Sequence, residues 1–139
     1  MIMMKPSPKL SSINTCPCGS GKKFANCCAR FLIQQQRAKT AEQLMRSRFS
    51  AYYLGGFGDY LLATWHPATS RQLNAIDLSH KTCDWQRLEV MAKSQQGDTA
   101  MVEFKAYFLN ATGEIESMHE KSNFCRVAGI WLYVGGELA

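Results

Sequence analysis

The chain has 139 residues, 46% of them hydrophobic and 11% aromatic, enough for one sizeable core and too few for two large domains. That composition excludes a disordered chain, and no apolar run reaches the roughly 18 residues that a membrane-spanning helix needs. The formal net charge of +5 sits entirely in residues 1–30, which hold Lys5, Lys9, Lys22, Lys23 and Arg30 and no acid, while eleven basic and eleven acidic residues balance over 31–139. The opening Met1-Ile2-Met3-Met4-Lys5-Pro6 has its charge on the wrong side and no apolar h-region for a secretory signal, so the chain reads as cytoplasmic.

In chain order, the first element is a metal loop. Four of the six cysteines, Cys16, Cys18, Cys27 and Cys28, fall within 13 residues in the run CPCGSGKKFANCC. In a reducing compartment such a cluster points to a metal site rather than a disulfide framework. Adjacent Cys27 and Cys28 could hardly bond to each other without strain, and pairing both to Cys16 and Cys18 would build a tight double staple. Zinc takes four thiolates tetrahedrally, and a loop too short for a core gains its folding energy from the ion, so one structural zinc is expected here. Pro17 holds the first turn, and Gly19 and Gly21 permit the positive φ that turns backbone N–H groups toward sulfur. A closed site of four cysteines has no open position for substrate. With zinc bound, the segment keeps a formal charge of about +3, either a solvated face or a patch for an acidic protein, RNA or lipid headgroups.

Residues 29–40 read as a connector in which FLIQQQRA has helical character. Thr40-Ala41-Glu42-Gln43 has the form of a capping box, and Ala41, Leu44, Met45, Phe49 and Tyr52 follow at helical spacing, predicting a helix over 41–54 that stops at Gly55-Gly56. A shorter helix is expected from Asp59 to about Trp65, ended by His66-Pro67. Strands follow: Arg87 to Lys93; an alternating stretch containing Val102, Phe104, Ala106 and Phe108; Ile115 to Arg126 after a turn at 110–113; and Ile130 to Val134 after Val127-Ala128-Gly129. Helices first and an antiparallel meander after define an α+β plan in which a curved sheet wraps the long helix.

The run CPCGSGKKFANCC resembles the SEC-C motif, the zinc module named for the C-terminal tail of the SecA translocation motor, in every ligand and in its Gly-Ser-Gly-Lys-Lys-Phe core. AEQLMRSRFSAYYLGGFGDYLLATWHP and EKSNFCRVAGIWLYVGG are similar to the body of YchJ-type bacterial proteins, in which a SEC-C motif precedes a domain with the cone fold of the nuclear-transport-factor-2-like family. The resemblance implies a SEC-C motif over 14–30, a cone domain over 40–137 and one zinc ion, and it brings no particular activity. Two departures stand out. Many such proteins carry a second SEC-C motif after the cone, whereas this sequence stops at Gly136-Glu137-Leu138-Ala139, and Ala25 stands where a lysine is common.

Some polar residues fall at apolar positions. Arg48 lies on the inward stripe of the first predicted helix, and Glu120 and Ser122 share a strand face with Met118 and Phe124. Since a buried charge needs a partner, the simplest expectation is an ion pair of Arg48 or Arg46 with Glu120, and the alternative is that these groups line the mouth of a small-molecule pocket. His66 and His119 are candidate general bases, with Asp59, Glu120 or Tyr53 as partners, although the spacing does not demand catalysis and His119 should face away from Glu120. Cys83 and Cys125 are expected as buried thiols, and Trp65, Trp85, Trp131 and Tyr133 as packing residues.

Three functions are compatible with these residues. The first is an interaction protein whose zinc knob presents Lys22, Lys23 and Phe24 to a protein partner, with the cone as scaffold. The second is a ligand-binding or enzymatic pocket in the cone, and the third is weak nucleic-acid or ribosome contact through the basic segment.

Overall fold

The computed structural model describes residues 14–139, so Lys5 and Lys9 of the basic segment lie outside it. A short 3-10 turn at Phe24–Asn26 leads to helix α1 (Ala29–Leu32), followed by α2 (Ala41–Leu54), α3 (Gly58–Ala63) and α4 (Ala75–Ser79). Four strands complete the chain: β1 (Asp84–Gln96), β2 (Thr99–Leu109), β3 (Ile115–Val127) and β4 (Ile130–Leu138). They form one antiparallel meander in the order β1-β2-β3-β4. The α+β plan is as expected. Among the described residues no helix is long and apolar enough to span a membrane.

Helix α2 starts and stops where the sequence places it. Thr40 Oγ1 accepts from Gln43 N at 3.1 Å, and Gln43 Oε1 accepts in return from Lys39 N at 2.8 Å, a capping box whose second bond reaches one residue further out than usual. Gly55, at φ +72°, ends the helix. Helix α1 is shorter than FLIQQQRA suggests, ending at Leu32, and α4 was not anticipated: Asn74 Oδ1 caps Asp77 N at 2.8 Å, and α4 contributes no buried side chain. Strands β1 and β4 both outrun their predicted ends.

The sheet curves through irregularities in register at Trp85/Arg87 and Val90/Ala92 in β1 and at Val134 in β4, opposite Asn123 and Phe124. Its concave face closes on one side of α2, where Leu44, Met45 and Phe49 meet Leu88, Val102, Phe104, Phe124 and Trp131. A second cluster forms on the opposite side of α2, where Ala51, Leu54 and Leu61 meet Phe24, Leu32 and the four clustered cysteines. Helix α2 therefore lies between the sheet and the body of the cysteine loop, whose Gly19 also reaches past the helix to the backbone of β1 at Leu88. This explains why Ala41, Leu44, Met45, Ser47, Arg48, Phe49, Ser50, Ala51 and Leu54 are all buried, more than one apolar stripe provides.

The exit of α3 is strapped to β4: His66 N donates to Tyr133 O and Tyr133 N to Thr64 O, both at 2.8 Å. The strap lays Trp65 against Tyr133, with ring centroids 5.1 Å apart.

Candidate functional site

The sulfurs of Cys16, Cys18, Cys27 and Cys28 lie within 4.8 Å of one another, and all four residues are buried. A tetrahedral ion with bonds of about 2.3 Å to sulfur spaces its ligands roughly 3.8 Å apart, and the Cys18 and Cys27 sulfurs are 3.6 Å apart. The donor set thus fits a metal ion. The crowded sulfurs also act on one another. Hydrogen bonding from the Cys18 and Cys28 side chains draws the Cys16 thiol down to about 3, and the amides of the same residues lower it further. The crowding pushes Cys28 far up, mainly through its contacts with Cys16 and Cys18. Four thiolates cannot share this space without a cation between them.

The loop is shaped for this by local chemistry. Gly19 and Gly21 adopt φ +79° and +81°, and Cys16 N donates to Lys22 O at 2.8 Å, closing the turn that brings the two cysteine pairs together. Two hydroxyls that the sequence reading passed over approach the sulfurs, Ser20 Oγ 3.2 Å from Cys27 Sγ and Ser50 Oγ 3.7 Å from Cys16 Sγ. Ser20 sits between the two glycines of the motif and was open to notice, whereas Ser50 belongs to α2 and only the fold brings it here. Arg46 joins loop to helix: its Nη1 donates to Cys18 O at 2.6 Å and its Nε to Glu42 Oε2 at 2.9 Å, while Lys93 Nζ on β1 donates to Glu42 Oε1 at 2.7 Å.

Of the residues expected to face a partner, Lys22 and Lys23 are exposed and form no ion pair among the described residues. Phe24 does not belong with them. It is 4% exposed and packs into the cluster against α2, because its apolar ring completes the seal of a loop too short to bury it alone.

The second feature is a cavity of about 240 Å3 between α2 and the concave face of the sheet. Arg48, Glu120 and Ser122 line it together with Tyr52, Trp65, Trp85 and Tyr133. The expected ion pair with Glu120 is absent. Arg48 Nη1 instead donates to Leu61 O at 2.8 Å and Thr64 Oγ1 at 2.7 Å, and the guanidinium lies over the faces of Trp65 and Tyr133, 4.8 and 4.6 Å from their centroids. Glu120 Oε2 accepts from Ser122 Oγ at 2.5 Å and from Tyr133 OH at 3.5 Å, and Arg46 faces the cysteine loop instead. Each charge finds local partners, which satisfies it without a bond across the cavity. Burial pulls the Arg48 pKa down and pushes the Tyr133 hydroxyl up to about 12.

Neither candidate base reaches this cavity. His66 Nδ1 accepts from Ala68 N at 3.0 Å in the turn after α3, and His119, on the opposite face of β3 as expected, meets Glu103 Oε2 at 2.6 Å through Nε2. Asp59 is exposed, and Tyr53 packs on Phe49 with Lys81 over its ring. Cys83 and Cys125 are half-buried rather than buried, since each lies near an end of its layer; desolvation raises the Cys83 thiol. Trp131 is a core residue, while Trp65 and Trp85 are half-buried around the cavity.

A family described as YchJ, middle NTF2-like domain, matches residues 40–136, and the SEC-C motif matches residues 14–30. The chain is 45% identical over 128 residues to a UPF0225 protein of Chromobacterium violaceum, covering 89% of this chain and 93% of that one. It is 41% identical to a UPF0225 protein of Serratia proteamaculans, covering 87% and 81%. A solution structure of a SEC-C motif containing protein from Rhodopseudomonas palustris is similar at TM-score 0.82 and 35% identity, covering 90% of this chain and 98% of that one. A crystal structure of a SEC-C motif containing protein from Psychrobacter arcticus is similar at TM-score 0.75 and 30% identity, covering 98% and 86%. With its cysteine loop docked on a helix that a four-stranded sheet wraps, the chain belongs to the YchJ-like family, a SEC-C motif joined to an NTF2-like domain.

Proposed function

We propose that the protein is a zinc-containing interaction protein, in which the ion makes a short basic loop rigid enough to present Lys22 and Lys23 to an acidic protein partner. The observation that carries this is the combination of a closed, buried sulfur cluster with two exposed lysines on its outer turn that form no ion pair among the described residues. Four thiolates leave zinc no position for a reacting water, so the metal serves architecture. The exposed lysines are placed to steer and orient an acidic partner. The NTF2-like domain acts as the scaffold on which the loop is docked.

The test is capture from bacterial lysate with zinc-loaded protein, beside a Lys22→Glu/Lys23→Glu variant, with zinc quantified in both. A partner held by the wild type and lost by the variant at equal zinc content supports the reading. Unchanged partners refute it, and capture that depends on RNA and falls steeply with salt replaces it with the ribosomal reading.

A further inference from the structure

The cavity poses a question that the cysteine loop does not answer. Arg48 is 5% exposed, and no carboxylate lies within ion-pair distance of it among the described residues. A buried guanidinium with no ionic partner is costly, and perturbed charges in a cleft cluster at functional sites.

The geometry around Arg48 is that of an anchor. Nη1 is pinned by Leu61 O and Thr64 Oγ1, and the plane rests in a corner made by Trp65 and Tyr133, whose rings stand at 80° to each other. The group therefore cannot swing. The Tyr52 hydroxyl on the cavity wall also approaches the guanidinium, and no other group holds Nε or Nη2 among the described residues, so a guest can take this forked edge of donors beside or in place of Tyr52. Such an edge matches a carboxylate in two parallel hydrogen bonds. Across the cavity Glu120 uses Oε2 for Ser122 and Tyr133, and among the described residues its Oε1 has no partner, an acceptor waiting for a donor. The walls between these poles are Met45, Phe49, Trp85, Phe104, Met118 and Phe124.

We propose that this cavity binds a small hydroxy- or amino-substituted carboxylic acid with an apolar body, its carboxylate on the free edge of Arg48 and its hydroxyl or amino group on Glu120. At about 240 Å3 the cavity holds the volume of roughly eight waters, below the usual range of about 300–1,000 Å3 for drug-sized ligands, so the guest is small. The placement of the poles decides the class. A bare acid would leave Glu120 facing a second carboxylate with nothing between them, and a neutral apolar guest would make no use of the Arg48 edge or of Glu120 Oε1. No histidine lines the cavity, which fits binding rather than proton transfer by imidazole.

The experiment uses the full zinc-loaded chain and follows tryptophan fluorescence, since Trp65 and Trp85 line the cavity. The probes are phenyllactate, phenylpropionate and phenylpropanediol, which share a ring and differ in carrying acid and hydroxyl, acid alone, or hydroxyls alone. Phenyllactate should bind saturably at millimolar concentration or below, and the diol at least about tenfold more weakly. Arg48→Lys keeps the charge but loses the fork and should weaken phenyllactate by about tenfold or more. Because Arg48 also ties α2 to α3, a second variant protects the test: Ala106→Leu leaves Arg48 in place, grows into the cavity and should abolish binding of every probe. Glu120→Gln should bring phenyllactate and phenylpropionate closer in affinity. Equal binding of acid and diol, binding that survives Ala106→Leu, or no saturable binding by any of the three probes at millimolar concentration overturns the proposal.

Discussion

Gly19 and Gly21 share the same backbone conformation and differ in what surrounds them, so alanine at each position separates conformational strain from docking. A Cβ at Gly21 would meet nothing within 4 Å, whereas a Cβ at Gly19 would stand 2.5 Å from Leu88 O, a backbone atom of β1 with no freedom to swing aside. Both substitutions force a side chain into positive φ, which costs about 1–2 kcal/mol. Gly19→Ala adds a backbone overlap of the kind that costs about 1–3 kcal/mol when a packed region must shift. The expected losses are therefore about 1–2 kcal/mol for Gly21→Ala and about 2–5 kcal/mol for Gly19→Ala. Urea unfolding of the two zinc-loaded variants measures both, and competition with a chromophoric chelator reads the metal affinity alongside. Equal losses at the two positions would refute the docking of the loop on β1, whatever the metal content.

Two further predictions follow from the position of α2 between the sheet and the cysteine loop. Cys27→Ser should lose the metal and also destabilise the rest of the chain by roughly 3 kcal/mol or more, since Leu54 and Leu61 each depend on burial worth about 1.5–3 kcal/mol against the loop. A denaturation midpoint close to wild type would show instead that the loop is a free appendage. The second concerns Glu42, whose carboxyl is held below its ordinary value first by Lys93 and then by Arg46. A depressed carboxylate stabilises the fold above its unfolded pKa of about 4.3, and that contribution disappears as pH falls through the folded value. Glu42→Gln should thus cost up to about 1 kcal/mol near neutrality, screening included. The gap from wild type should close in acid, where release of the metal affects both proteins alike. A gap that persists unchanged in acid contradicts the assignment.

The parts of this molecule legible in its sequence are those fixed by neighbours along the chain. Four cysteines in a short run declare their ion-binding role by spacing, and α2 announces its ends through Thr40 and Gly55. The inward placement of Arg48, Glu120 and Ser122 was also visible, as polar residues in apolar stripes. Their pairing was not, because the distance between a helix and a sheet is a tertiary quantity. Arg48 is satisfied by Leu61 and Thr64 from the next helix and Glu120 by Ser122 two residues along its own strand, and nothing in the periodicity favours these over a pair between the charges. Phe24 was misplaced for a related reason: an aromatic in a basic loop reads as a contact residue until the second apolar face of α2 supplies a partner for it. Helix α4 escaped notice since it buries no side chain, which removes the pattern that reveals a helix.

The position of Gly136 has a wider effect than its size suggests. It lies opposite Ser122 in the β3–β4 register, and the carboxylate of Glu120 occupies the space that any side chain at 136 would need. A residue on the last strand thereby fixes where a negative charge stands in the cavity, while the corner of Trp65 and Tyr133 fixes the positive one. Held apart in this way, the two form a permanent dipole across a largely apolar chamber, where weak dielectric screening lets its field act on any polar guest. The missing side chain at 136 is what keeps that dipole from collapsing into a reoriented, differently paired carboxylate.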